Sequence, residues 1–408
     1  MNPGDSAAGR ARVFTCSWGQ LEAGGSNVGD EAIFVSQVQD LKLLGTDVGV
    51  MSAVPGETSV RFGAKPFDVR RGRLRAMVSG VLWSDVVIVG GGELVQDVSS
   101  LLYTPWNLLP LRLAGLFRRR TYAWSVGIGQ GKEIAPWTPG AVRRWLGRCR
   151  GVTVRDESSL ATLLGLGLSP ARVRLSSDSA FTLAGGYRPG PVAGDLLGFA
   201  PRNVSNRKRR LLPLETRKRL GIHEECDTSA ERMAWAALLD EHLERRGGGI
   251  AMFPFHSGSL SNSDDEECRA VLSYMKRGGD VRIVEAGTLD EFMGEMSRCR
   301  VFVTVPLHGS ILSVVTGALP VALPYASKGF RFMEEAGLGE FCIPAAPGDW
   351  TDGLRSALDR AWEGAGTVWR DLSSVRERMV ERCRLNSGHF RATCLQGPGS
   401  SPPRPPRS

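Results

Sequence analysis

Short runs of apolar and β-branched residues alternate along this chain with longer stretches whose apolar side chains recur at helical spacing. In the first half the runs predict strands at Arg12–Cys16, Asp47–Met51, Asp85–Val89, Thr121–Ser125 and Gly151–Val154. Amphipathic stretches such as Asp30–Leu44 and Trp137–Arg148 fall between them. The second half repeats the pattern, with strands expected at Leu196–Ala200, Gly249–Pro254, Val281–Glu285, Arg300–Val305 and Leu319–Pro324. Such alternation is the signature of parallel sheets flanked by helices, an α/β fold.

The segment Ala184–Gly194 carries glycine and proline where either a strand or a helix would break. It divides the chain into two Rossmann-like domains, 11–183 and 195–366, joined by the linker 184–194. A helical segment is expected over 367–396, its last helix running roughly from Val368 to Arg384, before a Pro/Ser/Arg-rich tail, 397–408, expected to be disordered. Two such domains face one another across a central cleft. Ligands of open α/β sheets bind on the loops that follow the strands, so the chemistry is expected there.

Composition narrows the picture further. A chain of 408 residues with 42% hydrophobic residues is long enough for two ordinary cores. Fifty-one basic against forty-three acidic residues leave a net charge of +8, which favours anionic partners. No aromatic-rich RNA motif, zinc finger or helix-turn-helix pattern accompanies that charge, so nucleic acid ranks last among them. The eight cysteines form no CxxC pair and read as buried, reduced thiols. Met1 to Arg12 lacks the apolar core of a signal peptide, and no run of about twenty apolar residues exists, so a cytoplasmic protein is expected.

The strongest local chemistry lies between Val301 and Lys328. A buried strand ends near Val305, turns through Pro306 and enters a helix near His308, which Gly317 would stop. Free N–H groups at Gly309 and Ser310 are expected to face the cleft and receive a phosphate or carboxylate, with His308 beside them as proton donor. His308 can equally cap the helix or pack under a loop. Lys328, after the next strand, would emerge at the same cleft edge and favours the anion site. Arg155 follows the strand Gly151–Val154 and either grips an anion across the cleft or pairs locally with Asp156 or Glu157.

Other loops are less specific. Asn27 suits a helix cap, with Asp30 and Glu31 in the first turn, and one of these acids would serve as base for a substrate hydroxyl. Gly90, Gly91, Gly92 and Glu93 follow a strand, and Gly127 to Gly131 follow another. Neither matches a dinucleotide or P-loop pattern, though both allow close approach of a ligand or a helix. His256 ends a strand before a polar loop holding Asp264 and Asp265, where a solvated turn is the simpler expectation. His223, His242 and His389 have no expected role. The basic run Arg207–Arg210 is most simply a solvated loop, but would also suit an anionic lipid or polyphosphate acceptor, with peripheral contact on the inner face of the plasma membrane. Trp106–Arg120 reads as a packed helix, with membrane contact as the lesser alternative.

Several of these segments together are similar to the polysaccharide pyruvyl transferase family. The pieces are NVGDE at Asn27–Glu31, VIVGGGELVQD at Val87–Asp97, GIGQG at Gly127–Gly131, VTVRDES at Val152–Ser158, DSAF at Asp178–Phe181, LHG at Leu307–Gly309 and LPYASK at Leu323–Lys328. The resemblance implies a GT-B-like pair of domains with the active site between them. It implies phosphoenolpyruvate as donor substrate and a pair of hydroxyls on a sugar or glycolipid acceptor, giving a pyruvate ketal and phosphate. It assigns the donor to the C-terminal domain, at His308, Gly309, Ser310 and Lys328, with Arg155 contributed by the N-terminal domain. The acceptor falls to Asn27, Gly29, Asp30, Glu31, Gly91, Gly92 and Glu93. His308 would be the catalytic acid, and the scheme needs no cofactor or metal. One position departs from the family: Pro306 stands where an arginine is usual, two residues before the histidine. Two alternatives follow, a GT-B glycosyltransferase with a nucleotide-sugar donor and a catalytically silent glycan-binding relative.

Overall fold

Two all-parallel sheets carry the molecule. The computed structural model describes residues 10–16, 27–98, 100–187, 194–202, 227–257, 263–344 and 350–396. The first sheet holds β1 (Arg12–Thr15), β2 (Asp47–Ser52), β3 (Lys65–Asp68), β4 (Val86–Val95), β5 (Arg120–Ile128), β6 (Gly151–Val154) and β7 (Val173–Leu175), in the order β3-β2-β1-β4-β5-β6-β7. The second holds β8 (Leu196–Ala200), β9 (Gly249–Met252), β10 (Val281–Ile283), β11 (Val301–Thr304) and β12 (Leu319–Ala322), in the order β10-β9-β8-β11-β12. Strand order reverses between β1 and β4 in one sheet and between β8 and β11 in the other. The two switch points are where open α/β sheets leave a crevice for ligand.

All ten expected strands form. The two unexpected ones, β3 and β7, are sheet edges with few fully buried positions, so they lack a continuous apolar run. Two boundaries differ in a way that matters. Gly90–Glu93 is not a loop after a strand: it lies inside β4, which runs on to Val95. Gly90 packs against Trp124, where an added Cβ would lie 2.2 Å from the backbone oxygen. Gly91 and Gly92 take φ of 76° and 97°, and the register with β5 shifts between Glu93 and Val95. The glycines thus let β4 continue as a bulged strand that re-aims Glu93. Gly127 and Ile128 likewise extend β5. Ser125 in β5 holds φ of 49° without being glycine, secured by its N–H donating to Thr153 Oγ1 (2.8 Å) and its hydroxyl donating to the Ser177 carbonyl (2.8 Å).

The C-terminal helix, Ala365–Phe390, extends beyond the expected Val368–Arg384 and packs against the first sheet. Leu372, Val375, Met379, Cys383, Asn386, Phe390 and Cys394 recur at three- and four-residue spacing and are all buried. Phe390 stacks edge-on against Tyr122 of β5 at 5.1 Å, and the Tyr122 hydroxyl lies 3.0 Å from His389 Nδ1. The helix thus belongs to both halves of the molecule. One apolar cluster spans the two sheets, joining Phe34 and Phe181 to Phe199, Phe302 and Phe390.

Of the expected linker, residues 184–186 fall in the 3-10 helix Ser179–Gly186, and 188–193 lie outside the described residues. So do Arg207–Arg210, His223 and 397–408. The seven described cysteines are free thiols, five of them buried. Among the described residues, no helix is long and apolar enough to cross a membrane.

Candidate functional site

The helix that carries His308 begins directly after β11. Pro306 caps it with φ of −67°, and the helix Leu307–Thr316 ends at Gly317 with φ of 94°. The Gly309 N–H donates to the Pro306 carbonyl at 3.0 Å. It therefore does not face the cleft as expected. A Cβ on Gly309 would stand 1.9 Å from Thr304 Oγ1, and that hydroxyl donates to the Pro306 carbonyl at 3.1 Å. Ser310 is buried, its carbonyl accepting from the Ser313 hydroxyl at 2.9 Å. These residues build the start of the helix, and His308 is the group that projects from it.

The imidazole is held on two sides by the other domain. Its Nδ1 edge lies on Gly29, where a Cβ would come within 2.1 Å. Its Nε2 is 3.7 Å from Asp178 Oδ2, inside ion-pair reach but beyond a hydrogen bond, and is buried with no hydrogen-bond partner. Asp178 also receives Arg155 Nη1 at 3.2 Å and caps the 3-10 helix through the Ala180 N–H at 3.1 Å. Burial alone would raise the Asp178 carboxyl; His308, Arg155 and the Ala180 N–H outweigh it and bring it down to about 2. Arg155 is buried and also stands 3.9 Å from Asp156. Rather than reaching across the cleft, it lines the wall, and Asp178 links it to His308. Gly127 leaves room for this guanidinium, since a Cβ there would approach Arg155 Nε at 2.9 Å.

A second contact crosses the cleft beside the first. Lys328 sits near the start of the helix Ser327–Glu335, one turn before Arg331, so both cations share a face. Lys328 Nζ lies 3.1 Å from Glu93 Oε2 and Arg331 Nη2 3.6 Å from Oε1. Burial would raise the Glu93 carboxyl, yet Lys328, Arg155 and Arg331 hold it below the usual carboxylate range. Arg331 Nη1 also faces Glu133 at 3.8 Å, and the Ser327 hydroxyl bonds Glu133. Lys328 and Arg331 therefore form a cradle that holds a carboxylate, here the protein's own.

Asp30 completes the group. Asn27 caps the helix Val28–Leu43 through its side chain and the Gly29 N–H (2.9 Å), and its backbone bridges to His256 while the Val28 N–H donates to the Phe255 carbonyl (2.9 Å). Glu31 turns inward and is buried, whereas Asp30 stays exposed. Protein crowding raises the Asp30 carboxyl, opposed by the charges of His308, Lys328, Arg202 and His256. Those four side chains come from the opposite domain. Asp30 thus faces the side chains of that domain, and His256, exposed as a solvated turn would leave it, is among them. Tyr103 lies nearby: burial, with Asp30 next, pushes its hydroxyl up to about 12.

Sequence reasoning missed Asp178, Arg331, Arg202 and Tyr103. Asp178 lay inside a quoted motif, and Arg331 follows Lys328 at helical spacing. Arg202, paired with Asp264 at 2.7 Å, follows β8 as His308 follows β11, a position legible once strand order is known. Tyr103 gave no signal. Among the described residues, no three His, Cys, Asp or Glu side chains are grouped to hold a metal ion.

Solved structures share this architecture. UDP-N-acetylglucosamine 2-epimerase from Neisseria meningitidis, bound to UDP-GlcNAc, matches with a TM-score of 0.58 and 10% identity over 93% of this chain and 99% of that one. Anabaena Alr3699/HepE in complex with UDP-glucose matches with a TM-score of 0.57 and 10% identity over 95% of this chain and 100% of that one. The S. aureus MnaA–UDP structure matches with a TM-score of 0.56 and 10% identity over 95% and 99%. At such identities the likeness is one of fold, the GT-B-like arrangement of two parallel sheets. None of the curated proteins matches the sequence. The family model for polysaccharide pyruvyl transferase matches residues 27–327, which takes in every cleft residue named above except Lys328 and Arg331. The chain therefore belongs to the polysaccharide pyruvyl transferase family.

Proposed function

We propose that the protein transfers pyruvate from phosphoenolpyruvate to two hydroxyls of a sugar in a glycan or glycolipid precursor, forming a ketal and releasing phosphate. The observation that carries this reading is His308, fixed between Gly29 and Asp178 with Arg155 behind it. In the reaction His308 protonates the methylene carbon of the enol phosphate, and the electron pair of the double bond forms the new C–H bond. One acceptor hydroxyl attacks the central carbon and passes its proton to Asp30, whose raised pKa suits a base. The second hydroxyl then takes the place of phosphate, which leaves with the electrons of the C–O bond and accepts the second proton. Asp178 orients the imidazole and supports its charged form. Lys328 and Arg331 receive the donor's carboxylate or phosphate in the cradle that holds Glu93, and Arg155 offsets charge on the leaving group. In this reading Arg331 supplies the guanidinium that Pro306 lacks, from the next strand end. The bulged Gly91–Gly92–Glu93 segment and the Asn27–Glu31 turn bound the acceptor.

Purified protein given phosphoenolpyruvate and a candidate acceptor is expected to release phosphate and form an acid-labile ketal. His308→Ala should lower the rate about 10² to 10⁴-fold, the usual worth of a placed general acid. Unchanged turnover in that variant would remove His308 from the mechanism. The competing donor is a nucleotide sugar, a reading favoured by the UDP complexes among the structural neighbours. Thermal stabilisation separates the two, because a bound ligand stabilises the folded state. A rise with phosphoenolpyruvate is expected; a rise with UDP alone would transfer the proposal to a glycosyltransferase.

A further inference from the structure

The chain's excess positive charge is concentrated on one flank of the first domain. Between Leu101 and Val154 there are nine basic residues and one acid, Glu133, a net of +8 that equals the charge of the whole chain. Elsewhere among the described residues most arginines have a carboxylate within ion-pair distance, as where Arg245 and Arg246 share Asp359. Here the exposed Arg112, Arg143, Arg144, Arg148 and Arg150 have no carboxylate within ion-pair distance among the described residues. Three of them converge on a single indole. Arg112, from the helix Tyr103–Leu116, and Arg144 and Arg148, in and after the helix Thr138–Trp145, stand 5.6, 5.3 and 5.3 Å from the Trp145 ring.

Apolar side chains share this face. Leu116, four residues after Arg112 and so on the same side of its helix, is 74% exposed. Trp137, seven residues before Arg144 and within about 20° of it around the helix, is 53% exposed. A stripe of unneutralised guanidinium groups flanked by an exposed indole and a leucine combines the two features of a membrane-surface site.

We propose that this flank docks on a phospholipid surface bearing anionic headgroups. Its like charge opposes a second copy of the same face. A single-stranded nucleic acid needs free aromatic faces for base stacking, and the Trp145 ring is already covered by guanidinium groups. The helix Tyr103–Leu116 starts at Tyr103 beside the cleft, so docking would bring the cleft mouth close to the bilayer. Resting on the function proposed above, this favours a lipid-linked saccharide as acceptor.

The test is sedimentation of the full chain with vesicles of phosphatidylcholine alone or with about one third phosphatidylglycerol. Binding is expected only to the anionic vesicles, and it should weaken as salt rises from about 0.1 M to about 1 M. The triple substitution Arg112→Ser, Arg144→Ser, Arg148→Ser should weaken it at least about thirtyfold, since each cation near such a surface contributes close to a factor of five. Trp137→Ala should weaken it without changing its salt dependence. Absence of binding, or undiminished binding by the triple variant, would overturn the proposal, the second result assigning the attraction elsewhere, as to Arg207–Arg210. Preferential binding to duplex DNA over the anionic vesicles would overturn it too. No step depends on turnover, and phosphate release with a water-soluble acceptor should be unchanged in the triple variant, which separates this proposal from the assignment of the cleft.

Discussion

Glycine at position 29 does as much for the site as any charged side chain. The His308 ring occupies the space a Cβ would need, at 2.1 Å. Gly29→Ala is therefore expected to displace the imidazole while leaving the rest of the helix Val28–Leu43 in place. A misplacement of about 1 Å can cost about 10²-fold, so turnover should fall on that scale with the far-ultraviolet circular dichroism unchanged. Full activity in Gly29→Ala would mean that the ring's seat is not needed. Asp178→Asn tests the other side of the ring. It removes the charge that both His308 and Arg155 face, and should lower the rate with little loss of phosphoenolpyruvate affinity through Lys328. A pure loss of affinity would instead make Asp178 part of the donor site.

At the scale of elements, the C-terminal helix acts as a clasp. Arg376 is buried and donates to the carbonyls of Ala184 and Tyr187, at the end of the 3-10 helix where the first half of the chain gives way to the second. Arg376→Ala removes the guanidinium from the Tyr187 carbonyl, while the Ala184 carbonyl keeps the Tyr187 N–H (3.1 Å), and a loss of about 1–3 kcal/mol of stability is expected in urea denaturation. A smaller change would show that water or a neighbour takes over. Ser177 and Ser176 add to the clasp by donating to the carbonyls of Met379 (2.6 Å) and Arg382 (3.1 Å). The helix is legible in the sequence as an amphipathic pattern. Its partner is not, because a buried stripe states only that something apolar covers it, and here that is the 3-10 helix Ser179–Gly186 with the strands β5, β6 and β7 of the first sheet.

For the whole molecule, acidity is the informative variable. Burial, with Arg246 second, holds His242 down at about 4, and burial with Arg174 does the same for His389. Unfolded histidine titrates near 6.5, so the unfolded chain binds more protons between these values. Their contribution is present above about pH 6.5 and lost as pH falls toward 4. Asp40 opposes them: burial lifts it to about 6, and its contribution is lost as pH rises from about 4 to 6. The melting temperature should rise with pH over this window, two groups outweighing one. His389→Gln should flatten the rise and Asp40→Asn should steepen it. A melting temperature that falls with pH there would contradict the assignment.

Sequence alone determined the fold class and most of the sheet. Strands such as Gly151–Val154 and Leu196–Ala200 are short apolar runs whose burial leaves no other conformation for them. The family, and the residues His308, Arg155 and Lys328 as a set, were also legible, because a histidine, an arginine and a lysine that each follow the end of a parallel strand fall at the cleft by topology. What each of these residues faces was decided only in three dimensions. Asp178 joins Arg155 to His308, Glu93 occupies the Lys328 cradle, and the Gly309 N–H is taken by Pro306. Such pairings depend on distances between elements remote in sequence. The bulge that turns Glu93 depends in turn on where the Trp124 backbone lies against Gly90.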